Sequence, residues 1–91
     1  MIAIIKSTFN STITNGLLEG CLMALREESI YENQIKIFEV PGAFEIPSMT
    51  NLIAKKQEYK AIITLGCVIQ GETDHYKFIC EAVSEGIMRI T

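Results

Sequence analysis

Lys60-Ala61-Ile62-Ile63-Thr64-Leu65-Gly66 is the stretch on which the fold turns. Ala61 to Leu65 is apolar on both alternations except at Thr64, as a strand covered on both faces requires, and Gly66 ends it. Upstream, a helix is predicted from Phe44 or Glu45, with Pro47 in its first turn and Lys55-Lys56 near its C-terminal end. Met49, Leu52 and Ile53 are its expected buried side. Before it, Ile35, Ile37, Phe38 and Val40 read as a strand stopped by Pro41-Gly42. Tyr31-Glu32-Asn33 separates that strand from an earlier helix, on which Ile13, Leu17, Cys21, Ala24 and Leu25 share a face. Leu18 and Leu22 widen the stripe, enough for the helix to touch more than its own sheet. Ile2 to Ile5 is a third short apolar run, closed by the polar Ser7-Thr8-Phe9-Asn10-Ser11. Downstream, Gly66 and Gly71 bracket a loop, and a third helix is predicted from Thr73 or Asp74 with Ile79, Ala82, Val83, Gly86, Ile87 and Ile90 on one face.

The order is therefore βαβαβα, with no linker, repeat or low-complexity tract in residues 1–91. Such alternation predicts a single α/β domain: a parallel sheet, right-handed crossovers and helices on both faces, giving a three-layer α/β/α sandwich. Ligands of these sheets bind beyond the carboxyl ends of the strands, at a switch in strand order. The chemically unusual residues fall there: Phe9-Asn10 after the first strand, Pro41 to Glu45 after the second, Gly66 to His75 after the third. Asn33-Gln34 and Glu58-Tyr59-Lys60, on the opposite side, carry nothing distinctive.

Composition narrows the function classes. A chain of 91 residues that is 48% hydrophobic and 21% charged packs a core and is not disordered. A formal charge of -3 leaves no basic face for nucleic acid or anionic lipid. No apolar run approaches the ~20 residues of a membrane span, and residues 1–5 lack the basic flank and cleavage site of a signal peptide. Cys21, Cys67 and Cys80 are odd in number and share no CxxC spacing. That argues against a disulfide framework or zinc knuckle and for a reducing, cytoplasmic setting.

His75 is the single histidine, in the first turn of a predicted helix. The positive end of the helix dipole disfavours imidazolium, so the ring stays neutral at pH 7, as a general base must. A surface or packing role is the alternative. Gly71-Glu72-Thr73 leads into the same helix start, where free amides and the Thr73 hydroxyl can seat a phosphate. Thr73 or Asp74 can equally be a plain helix cap, and the Glu72 carboxylate must point away from any anion. Pro41-Gly42-Ala43-Phe44-Glu45 either lets a ligand approach the backbone or forms a stiff turn with Phe44 in the core. Phe9 either stacks on a planar heterocycle or plugs the core, and Asn10 is expected to cap the first helix. Adjacent Glu72, Asp74 and His75 do not surround one point, which disfavours a metal site. A Cys67 nucleophile paired with His75 is disfavoured too, since scattered cysteines more often fill buried space.

Taken together, Ser7-Thr8-Phe9-Asn10, Val40-Pro41-Gly42-Ala43-Phe44-Glu45-Ile46-Pro47 and Leu65-Gly66-Cys67-Val68-Ile69-Gln70-Gly71-Glu72-Thr73-Asp74-His75 resemble the lumazine synthases in order and spacing, over essentially all 91 residues. The resemblance implies a flavodoxin-like sheet. It also implies condensation of 5-amino-6-(D-ribitylamino)uracil with 3,4-dihydroxy-2-butanone 4-phosphate to 6,7-dimethyl-8-ribityllumazine, in riboflavin biosynthesis, with no metal or redox cofactor. It places Phe9 on the pyrimidine ring, with Asn10 beside it among the substrate-binding positions. Ala43, Phe44 and Glu45 fall on the ribitylamino-uracil, and Cys67, Val68 and Ile69 continue that pocket. Gly71, Glu72 and Thr73 fall at the phosphate of the four-carbon substrate, and His75 at proton transfer. The implied partners are further copies, in a pentamer or a 60-subunit capsid, and riboflavin synthase.

Thr8 and Gln70 stand where the family commonly has arginine, which reduces positive charge near the anion. The family continues with a fourth strand and further helices. These carry an aromatic that completes a neighbour's pocket and a phosphate-binding arginine, so the resemblance implies little or no activity for these 91 residues alone. A non-catalytic flavin- or lumazine-binding module is the alternative of a different class. A flavodoxin-like electron carrier would need a hydroxyl-rich phosphate loop after the first strand, of which Thr8, Ser11 and Thr12 are a faint echo.

Overall fold

The computed structural model describes residues 1–67. They form β1 (Ile2–Ser7), α1 (Ser11–Glu27), β2 (Ile35–Val40), α2 (Ile46–Lys56) and β3 (Ala61–Leu65). Single 3₁₀ turns lead into β2 (Glu32–Gln34) and α2 (Ala43–Glu45). The sheet is parallel with strand order β2-β1-β3, so the chain steps from β1 to one side and then crosses to the other. This is the α/β arrangement expected from the sequence. The expected third helix, from Thr73 or Asp74, lies outside the described residues.

β1 is the central strand of the described sheet. Ala3, Ile4 and Ile5 are fully enclosed, and Lys6 and Ser7 are buried with them. Neighbouring strand residues point to opposite faces. Ala3 and Ile5 pack with Val40, Ala43, Ile46 and Ile53, the α2 side, whereas Lys6 bonds Asn15 of α1. The two helices therefore cover opposite faces and make three layers. Each enclosed isoleucine contributes about 1.5–3 kcal/mol relative to exposure.

The strand expected at Ile2–Ile5 runs on through Lys6 and Ser7. Lys6 interrupts the apolar run in the sequence, but β2 and β3 pair with β1 as far as Glu39 and Leu65 alongside it. Two expected helix faces are also corrected. On α2 the buried side is Ile46, Thr50 and Ile53, with Met49 half-buried, and Leu52 is exposed. Positions 46, 50 and 53 form one stripe at helical spacing, and Leu52 lies about 100° from Ile53 on the outer side. On α1 the enclosed residue is Thr14, in line with half-buried Leu18, Cys21, Leu22 and Leu25. Ile13, Leu17 and Ala24, expected on the buried face, are exposed in the protomer. The residues read as the margin of the stripe are thus its centre. Polar Lys6 on β1 is what Asn15 of α1 meets, beside enclosed Thr14.

Candidate active site

Strand register brings the three strand ends to one edge, because Ser7 lies beside Val40 and Lys6 beside Leu65. Hydrogen bonds then lock the exits together. The Thr8 N–H donates to the Val40 carbonyl at 2.8 Å and the Phe9 N–H to the Pro41 carbonyl at 3.1 Å. The Thr8 hydroxyl lies 3.3 and 3.4 Å from the same two carbonyls, so the residue standing in place of a common arginine ties β1 to β2. On the other side, a Cβ at Gly66 would fall 2.9 Å from Ile46 Cδ1 and 3.4 Å from the Ala43 Cβ. The missing side chain lets the end of β3 lie against the Ala43–Ile46 turn. Asn10 Nδ2 reaches toward Cys67 Sγ, at 3.9 Å. The segments after β1, β2 and β3 thus form one surface, at the point where the chain reverses across the sheet.

Two aromatic rings stand on this surface. Phe9 is 53% exposed and Phe44 59% exposed. Among the described residues neither is a core plug, so both present flat apolar faces that a planar ligand could use. Ala43 is buried and Glu45 is exposed. The Glu45 carboxylate lies over Gly42, where a Cβ would come within 3.2 Å of its Oε2. Asn10 does hold the N-cap position of α1, but not by its side chain. Its backbone is left-handed, with φ 56° and ψ 57°, a conformation asparagine tolerates better than most residues. The Asn10 carbonyl accepts the Ile13 and Thr14 amides at 3.0 and 3.1 Å, and its amide group is left to face Cys67. Of the residues expected at the site, Phe9, Asn10, Ala43, Phe44, Glu45 and Cys67 are brought to this edge. Val68, Ile69, Gly71, Glu72, Thr73 and His75 lie outside the described residues.

Lys6 belongs to none of the motifs along the sequence. Its ammonium donates to Asn15 Oδ1 and lies 3.6 Å from Glu39 Oε2. A charge directly after an apolar run was the available signal, but its partners are 9 and 33 positions away. Burial on the sheet side of α1 pushes the Cys21 thiol above its ordinary range, which favours the protonated form. A recess of about 280 Å³ lined by Leu22, Glu32, Ile35 and Ile37 lies at the outer edge of β2, away from the strand exits.

The family model described as 6,7-dimethyl-8-ribityllumazine synthase matches residues 1–91, the entire chain. The chain belongs to the lumazine synthase family. Among curated members, the 6,7-dimethyl-8-ribityllumazine synthase of Coxiella burnetii strain Dugway 5J108-111 is 47% identical over 89 residues. Those of strains CbuG_Q212 and RSA 493 are 46% identical over 89 residues. The alignments cover 98% of this chain and 59% of each relative, so the chain spans about three fifths of the length of these lumazine synthases. Lumazine synthase ancestry agrees with the parallel sheet found here. Among the described residues, no helix is long and apolar enough to cross a membrane.

Proposed function

We propose that this chain is a subunit, or the N-terminal part of one, of an enzyme that condenses 5-amino-6-(D-ribitylamino)uracil with 3,4-dihydroxy-2-butanone 4-phosphate to 6,7-dimethyl-8-ribityllumazine. The observation that carries this reading is the gathering of Phe9-Asn10, Ala43 to Glu45 and Cys67 on one strand-end surface, in a chain of this family. Phe9 supplies a face for the pyrimidine ring. Ala43 to Glu45 and Cys67, continued by Val68 and Ile69, line the ribitylamino-uracil. Gly71, Glu72 and Thr73 hold the phosphate, and His75 moves protons.

The reaction forms an imine, expels phosphate and closes a ring. These steps depend on proton transfer and on alignment of two reactants rather than on a strong protein nucleophile, and alignment can supply about 7–11 kcal/mol in favourable cases. Exposed Ile13 and Leu17 on α1 support assembly of several copies, as a pentamer or a capsid of twelve pentamers. The scattered cysteines support a cytoplasmic location.

The test is turnover by the complete protein with both substrates. The expected result is one lumazine and one phosphate per pyrimidine consumed, with metal chelators having no effect. Tight binding of the pyrimidine without product would instead show a binding module.

A further inference from the structure

The proposed chemistry uses no group on the α1 face of the sheet, yet that face holds a buried amine. Lys6 is 8% exposed and sits under the start of α1, where the helix dipole presents its positive end. An ammonium there is unfavourable on both counts unless its partners hold it. They do so from two elements: Asn15 of α1 through its Oδ1, and Glu39 of β2, the register neighbour of Lys6, at 3.6 Å. The contact ties Asn15, just after the first turn of α1, to the most buried strand. That turn is continuous with the strand exit, because the Ile13 and Thr14 amides bond the Asn10 carbonyl. Left-handed Asn10 then directs its side chain to Cys67, and Phe9 precedes it.

We propose that Lys6, acting through Asn15, is a positioning residue that sets the first turn of α1 and thereby places Phe9 and Asn10 at the pyrimidine end of the site. The consequence for substrate rests on the function proposed above; the consequence for the helix does not.

The test compares Lys6→Met, Asn15→Ala and the double variant in the complete protein. Methionine keeps the length and volume of the lysine stem, and Asn15 is exposed, so the Asn15 variant folds even if the first does not. Amide hydrogen exchange is read at Ile13 and Thr14, with Thr50 and Ile53 of α2 as reference. Each single change is expected to speed exchange at Ile13 and Thr14 about tenfold, the scale of a lost hydrogen bond to a charged group. The α2 amides should be unchanged, and the double variant no faster than either single one, since the two residues act as one contact. In turnover, KM for the ribitylamino-uracil should rise about five- to tenfold, with kcat and KM for the four-carbon phosphate within about twofold. Exchange that speeds equally in α1 and α2 would show general destabilisation and overturn the proposal. So would unchanged Ile13 and Thr14 amides, or loosened amides with KM for the pyrimidine unmoved. If the unsubstituted protein turns over neither substrate, the proposed function fails, and an unchanged exchange pattern is then what would overturn the contact between Lys6 and Asn15.

Discussion

His75→Ala is expected to lower kcat by about 10²- to 10⁴-fold, the range in which a positioned general acid–base contributes. Binding of the ribitylamino-uracil should stay within about twofold, because that substrate is assigned to Phe9, Ala43 to Glu45 and Cys67 rather than to the imidazole. The acid limb of the rate profile gives a second reading of the same residue. In the helix start that the sequence predicts at Thr73 or Asp74, an imidazole would have its pKa lowered, so the neutral base is expected to persist to lower pH than a free imidazole would allow. Rate should fall as acid protonates it, and that limb should vanish in His75→Ala. What remains should still exceed the uncatalysed reaction, since two aligned reactants react faster without any proton carrier. A variant that keeps its rate within threefold would remove His75 from the mechanism. One that loses pyrimidine binding instead would make it a binding residue.

Ile5→Ala is the substitution expected to cost most in stability. Ile5 is fully enclosed on the central strand, packed with the Ile46 and Ile53 side of α2. Removing its outer carbons loses their transfer energy and leaves a cavity between two tightly packed layers, together about 2–5 kcal/mol. That is a large share of the ~5–15 kcal/mol typical of a whole domain. Leu52→Ala is the contrasting change: Leu52 is 57% exposed, and its loss should stay within about 0.5 kcal/mol. Urea midpoints at one fixed protein concentration compare the two, so that any assembly contributes equally. Equal losses would mean that α2 presents a different face to the sheet.

The contrast between these two residues shows where sequence was sufficient. Periodicity placed the second and third strands, because apolar Ile35, Ile37, Phe38 and Val40 and the run Ala61–Leu65 are each ended by proline or glycine, and a strand has only two faces. It overstated the cover on β3, where Ala61 and Thr64 are exposed and the other three residues are half-buried among the described residues. It placed the helices but not their rotation. On α1, Ile13 and Leu17 are as apolar as Leu18 and Leu22, and choosing between the two stripes depends on the polar end of β1 that Asn15 meets. On α2, buried Thr50 donates its hydroxyl to the Ile46 carbonyl at 2.8 Å. A polar residue can thereby occupy a core position while Leu52 does not. The strand-end location of the candidate site followed from topology alone. The locking contacts did not, since Asn10 with Cys67 spans 57 positions and Gly66 with Ile46 depends on the crossing of β3 over β1. Asparagine before a helix suggests a side-chain cap, and only the left-handed backbone at Asn10 redirects its amide into the site.

Whether this strand-end surface receives the ribitylamino-uracil is decided by a crystal structure of the complete protein with that substrate bound. The pyrimidine ring is expected against Phe9, with the backbone of Ala43 and Phe44 and the side of Cys67 within contact. A pyrimidine seated elsewhere, in the Leu22–Ile37 recess for example, with Phe9 and Phe44 still bare, would contradict it.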